Sequence, residues 1–309
     1  MQMLRLSILL LLSTLAAVAG PNAPVPKAEI LKLTGDFEGK KLSRDVNILW
    51  LSGPEDHKGG AHDYIRIKEL FVPMLKKVPR VTVDEAHLFP TQEQFDKADL
   101  MIQFLHMPDL TDEQYAMYQK YVDGGGGVVS IHEACIMRPV DRADKYADCI
   151  GCSWNGNKNS RWGMFGNKHA LYLDTEHPAF KGLPKSVSLN DESYWDLLKK
   201  DKVKVIGAVA PKAETDPASF ADALKLEGVR KEAFWTYTSG KGRVFGTTTG
   251  HFTYTYFDPH YRILLMRGIG WALNEDPAPF MPLVFEGITS EDGLVGTTDS
   301  MMDYVNRKK

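Results

Sequence analysis

The sequence has no surplus of positive charge, few cysteines, no internal repeat and no long apolar run beyond its first residues. Its 37 Lys and Arg against 40 Asp and Glu leave a net charge of −3, so no basic face is offered to nucleic acid. The three cysteines are Cys135, Cys149 and Cys152, and the C-x-x-C at 149–152 has no second pair to complete a four-cysteine zinc site. The one apolar run follows Arg5, spans Ile8 to Leu12 and continues through Leu15 to the small residues Ala17-Val18-Ala19. It is too short for a stable membrane span and reads as a Sec-type signal peptide over residues 1–19, an uncleaved anchor being the alternative. No cysteine stands at the cleavage step, which argues against a lipoprotein. The expectation is a secreted or periplasmic protein, free of the membrane once cleaved. In an oxidising compartment three cysteines imply one disulfide and one free thiol, with the pairing open.

What is present is a globular chain of 309 residues, 43% hydrophobic and 25% charged. Residues 20–45 hold a Pro- and Lys-rich arm, 46–276 the domain, and 277–309 an extension wrapped on it. Val46 to Leu51, Arg80 to Val83 and Leu100 to Leu105 read as strands. Tyr64, Ile67, Phe71 and Leu75 recur at helical spacing, with Pro73 set to kink or break the helix. Thr111-Asp112-Glu113-Gln114 is a capping box for a helix facing inward through Tyr115, Tyr118 and Val122. Gly124 to Gly127 release that helix into Val128-Val129-Ser130-Ile131, a strand of the kind buried on both faces, and His132 and Glu133 follow at once. This rhythm predicts an α/β fold with a doubly wound, mostly parallel sheet and helices on both faces. Later, Phe234 to Tyr237 and Arg243 to Thr248 are joined by Ser239-Gly240-Lys241-Gly242, a hairpin signal. Asp258 and Pro259 then open a last helix. Arg138 to Lys168 is irregular and too long for an ordinary connection, and Lys212 to Lys231 reads as a charged, helical insertion.

In such sheets ligands bind beyond the carboxyl ends of the strands. His62, His132 and His251 each follow an apolar strand and are expected to meet at that edge. A lone histidine there is more often a hydrogen-bonded structural residue. Three together, with Glu192 in Asp191-Glu192-Ser193-Tyr194, favour chemistry. His87 and His106 also follow strands but lack the glycine-rich turns.

The residues Gly125 to His132, His177-Pro178 with Gly182-Leu183-Pro184, Asp191 to Tyr194, Gly242 to Phe245, and Gly250-His251 through Arg267 to Trp271 resemble the trehalose-utilisation (ThuA-like) family over about Val46 to Glu275. The resemblance implies a class I glutamine amidotransferase-like, flavodoxin-like fold and a role in carbohydrate breakdown, in particular of disaccharides oxidised to 3-keto forms. Amidotransferases of this kind carry a nucleophilic cysteine at the elbow that His132 occupies here. Cys135 lies one turn further on, so acyl transfer through Cys135 and His251 is the weaker alternative.

The expectation is therefore a lyase or hydrolase acting on a keto-sugar or glycoside. A divalent metal, zinc by its imidazole ligands, would be held by His62, His132 and His251. Glu192, His132 and Glu133 are the candidate catalytic residues. Asp191, Tyr194, Trp154, Trp162, Tyr254 and Tyr256 are candidates for binding the sugar. A carbohydrate-binding module without metal is the alternative, and an interaction protein with structural histidines a third.

Overall fold

The computed structural model describes residues 21–165, 170–209 and 232–297. The expected signal peptide at 1–19, the insertion at 212–231 and the end of the tail fall outside these residues.

Eleven strands carry the architecture: β1 (Val46–Ser52), β2 (Val81–His87), β3 (Leu100–Phe104), β4 (Gly127–Ile131), β5 (Arg161–Phe165), β6 (Ala170–Leu173), β7 (Ser186–Ser188), β8 (Asp191–Trp195), β9 (Lys204–Val209), β10 (Phe234–Ser239) and β11 (Gly242–Thr247). Nine of them form one sheet in the order β2-β1-β3-β4-β11-β10-β9-β6-β7. The half from β2 to β11 is parallel, as the alternation of strands and helices requires. The half from β11 to β7 is antiparallel. The sheet is thus mixed where a mostly parallel one was expected. The reason lies in the β10–β11 hairpin, closed by Gly240-Lys241 with Ser239 opposite Gly242. A two-residue loop can reverse the chain but cannot make a parallel crossover.

The helices are α1 (Lys27–Thr34), α2 (Tyr64–Leu75), α3 (Gln92–Lys97), α4 (Asp112–Gly124), α5 (Ala143–Ile150) and α6 (Pro259–Leu273). Successive strand residues point to opposite faces, and the core divides accordingly. Val129, Ile131 and Phe245 pack with α2 and α6. Val128, Val244 and Met101 pack on the other face with Tyr115, Tyr118 and Tyr146 of α4 and α5. The capping box at Thr111 and Gln114 is formed in both directions. Asp258 caps α6 by accepting from the N–H groups of His260 and Tyr261, with Pro259 in the first turn. Pro73 sits in the last turn of α2, which ends at Leu75.

The arm is more ordered than its composition indicates. Ile30 of α1 and Leu42 are buried, and Val25–Pro26 pairs with Leu294–Val295. Residues 278–284 form a 3-10 turn whose Phe280, Met281, Leu283 and Val284 are buried on the domain. None of the described helices is long and apolar enough to cross a membrane.

The expected disulfide is absent: Cys135, Cys149 and Cys152 are all buried free thiols. Each is packed in the apolar layer around α4 and α5. Cys149 points at Gln119 Oε1, 3.6 Å away.

Candidate functional site

Three strand ends bring three imidazoles together. His132 leaves β4 at the start of a 3-10 turn, His132–Cys135. His62 closes the loop after β1, and His251 follows Gly250 beyond β11. The two outer loops are tied to each other, because the His62 N–H donates to the His251 carbonyl at 2.9 Å. His132 Nε2 lies 3.0 Å from His62 Nε2 and 3.1 Å from His251 Nδ1. All three residues are buried. His62 and His132 both sit in the left-handed region, with φ of 49° and 50°. Such backbone costs of order 1 kcal/mol or more per residue and gathers at functional sites.

The hydrogen bonds fix how the His132 and His62 rings are turned. His132 Nδ1 faces the Thr248 carbonyl at 2.7 Å, which can only accept, so Nδ1 donates and Nε2 is bare. His62 Nδ1 donates to Asp56 Oδ1 at 2.8 Å, which turns its Nε2 toward His132 Nε2. Asp56 is held well below the usual carboxylate range: burial pushes it up, but hydrogen bonds from His62 and His57 outweigh that. Burial, then the neighbouring imidazoles, push His132 well below its ordinary value. The same causes take His251 down to about 3. Two Nε2 atoms 3.0 Å apart need a proton or a metal ion between their lone pairs. A tetrahedral ion with bonds of about 2.0–2.1 Å sets its nitrogens about 3.3–3.4 Å apart, within a few tenths of an ångström of what is found. Each of these two imidazoles donates its second N–H to an oxygen, as metal-ligating histidines do. The donor set fits zinc.

Carboxylates close the cluster. Glu192 Oε1 is 3.5 Å from His251 Nδ1 and 3.8 Å from His132 Nε2. Burial, with Asp191 and Glu133 nearby, raises Glu192 to about 8. Glu133 Oε2 is 4.0 Å from His62 Nε2 and accepts from Tyr194 Oη at 2.7 Å. Tyr194 Oη also lies 2.9 Å from His132 Nε2.

The sequence profile of ThuA, described as trehalose utilisation, matches residues 55–272. The chain belongs to the ThuA family. Among solved structures it is similar to a ThuA-like protein from Bacteroides uniformis, with 18% identity, 80% of this chain and 100% of that one covered, and a TM-score of 0.58. A ThuA-like protein from Parabacteroides merdae is also 18% identical, with 74% and 90% covered and a TM-score of 0.53. At that identity the likeness concerns the fold, which is glutamine amidotransferase-like. None of the curated proteins matches the chain.

In this ThuA-family chain the remaining candidates fall in different places. Asp191 does not face the cluster. It is buried, and its carboxylate accepts from the N–H groups of Gly250, His251 and Phe252. It therefore positions the loop that carries His251. Burial outweighs these bonds and raises Asp191 to about 7. Trp154 is buried with its ring 5.3 Å from Tyr194. Tyr254 is buried and stacked on Phe252. Tyr256 is fully buried against Phe71, Phe104 and Tyr261, so it belongs to the core and cannot reach a sugar. Trp162 stands exposed on β5. Cys135 is buried, and burial holds its thiol well above the ordinary value. That state is the opposite of an activated nucleophile.

Sequence reasoning missed three residues. Asp56 and His57 lie in the loop after β1, and His106 lies just beyond β3. His106 Nδ1 donates to Glu133 Oε1 at 2.7 Å and is 3.6 Å from Asp56 Oδ2. The strand-end rule that selected His62 applies equally to them; the glycine-rich-turn criterion set His106 aside. A surface hollow lined by Arg44, Phe95, Asp99 and Tyr121 among others lies at the opposite edge of the sheet, away from this cluster.

Proposed function

We propose that the chain is an exported enzyme of carbohydrate breakdown that holds a divalent metal on His62, His132 and His251 and uses Glu192 as a base on a sugar derivative. The observation that carries the proposal is the convergence of three buried imidazole nitrogens, two separations being 3.0 and 3.1 Å, beside a buried carboxylate. Bound there, the ion would supply electrostatic stabilisation to a sugar oxygen that gains negative charge. Glu192, 3.5 Å from His251 Nδ1 and 3.8 Å from His132 Nε2, would be kept ionised by the neighbouring ion and so able to take a proton from the carbon next to that oxygen.

A 3-keto glycoside suits these groups. The ketone acidifies the C2 proton, which Glu192 removes. The C1–O bond then breaks as the C1–C2 double bond forms, and the leaving oxygen needs a proton. Tyr194 Oη is in place to give it, because Glu133 links Tyr194 to the partly exposed His106 through two bonds of 2.7 Å. That path returns a proton from solvent to Tyr194. Addition of water to the double bond would complete a net hydrolysis.

The test joins metal analysis of the purified protein with a turnover screen of trehalose against 3-ketotrehalose. One bound divalent ion per chain and turnover of the keto-sugar, lost on chelation, are expected. Turnover indifferent to chelation overturns the metal; bound metal with neither sugar turned over overturns the enzyme.

A further inference from the structure

Four large apolar side chains are exposed among the described residues, and two of them, Trp162 at 61% and Met164 at 45%, are on β5. β5 pairs antiparallel with β8, with Trp162 opposite Tyr194 and Met164 opposite Glu192. Residues directly opposite in such a pair project to the same face, with Cβ atoms about 4.5–5.5 Å apart. Glu192 and Tyr194 reach His132 at 3.8 and 2.9 Å, so their shared face is the one that looks onto the histidines. Trp162 and Met164 continue that face outward. The reverse face is covered: a Cβ on Gly163 would lie 2.9 Å from the Trp195 ring. The bare apolar surface of β5 is thus on the side of the cluster.

We propose that Trp162 and Met164 form a platform for the second pyranose ring of a two-ring substrate whose first ring lies among Glu192, Tyr194 and the histidines. This rests on the carbohydrate reading above and narrows it to disaccharide-sized ligands. An indole offers a flat apolar surface to the C–H face of a pyranose, and a thioether adapts its shape alongside. The hydroxyl groups of that ring remain in water, which suits a platform open on one side. A one-ring ligand would fill the inner position and leave Trp162 untouched.

The experiment measures binding of trehalose and of methyl α-D-glucopyranoside to the full chain by calorimetry and tryptophan fluorescence. Wild type, Trp162→Ala and Met164→Ala are compared. Wild type should bind trehalose more tightly than the glucoside. Trp162→Ala should weaken trehalose binding about three- to tenfold and leave the glucoside unaffected. Met164→Ala should act in the same direction, less strongly. Both residues are exposed, so melting temperature and metal content should hold. Equal weakening for both sugars, unchanged trehalose affinity, or no trehalose binding by wild type each overturns the proposal. So does conversion of a dimer to a monomer by Trp162→Ala with sugar affinity intact, which would assign the patch to a second copy of the chain. Metal content and turnover are read separately. A failed platform leaves them in place, and a failed catalytic reading leaves the difference between the two sugars.

Discussion

Replacing Glu192 by Gln keeps the side chain's size and removes its proton equilibrium, so it isolates what burying this carboxyl costs. In wild type without metal, burial and the neighbouring acids raise Glu192 from 4.5 to about 8. An acid whose folded value is raised loses its proton first in the unfolded chain. Stability therefore falls as pH rises from the unfolded value toward the folded one. Each pH unit inside that window is worth about 1.4 kcal/mol, so between pH 6 and pH 8 the wild type should lose about 2 kcal/mol on this account. For a domain of this size that is about 4–8 °C in Tm. His132 and His251 act with the opposite sign, because their folded values are lowered, and the stability they contribute is lost as pH falls below the unfolded value near 6.5. Most of their effect lies below the chosen interval. Asp191, raised to about 7, affects both proteins alike. Thermal and urea unfolding in chelator at pH 6, 7 and 8 should show wild type weakening by that amount relative to Glu192→Gln. Zinc should flatten the wild-type curve by giving the carboxylate a cationic neighbour. Parallel profiles for the two proteins would refute the burial argument.

Two further outcomes follow from the same geometry. His106→Gln cuts the solvent end of the path through Glu133, so turnover of the responding sugar should fall about 10–100-fold with bound metal intact; unchanged turnover would remove His106 from the mechanism. Gly250→Ala places a methyl group 2.7 Å from Tyr261 Oη and 2.8 Å from Tyr256 Oη, at φ of 112°. It should cost more than about 1 kcal/mol and weaken metal binding through the adjoining His251, measured by urea unfolding and zinc titration; an unaltered midpoint would show that the loop yields freely.

Local signals determined much of this protein. Apolar runs released by glycines marked the parallel strands, and the caps at Thr111 and Asp258 marked two helix starts, because these are effects of near neighbours in the chain. The gathering of His62, His132 and His251 was also legible, since residues just past parallel strands share one edge of the sheet. Other features depended on contacts between distant segments. Whether Glu192 or Asp191 faces the histidines depends on the pleat of β8, and β8 exists as a strand because β5, some thirty residues earlier, pairs with it. A shift of one residue would have exchanged the two acids. Tyr254 and Tyr256 stand in one aromatic run, and the 3-10 turn at 253–257 buries both in the core. His106 joined the site through Glu133, a partner 27 residues away. Sequence determines which groups lie near the edge; only the packed sheet decides which way each points, because orientation depends on register, and register is a property of the pair of strands.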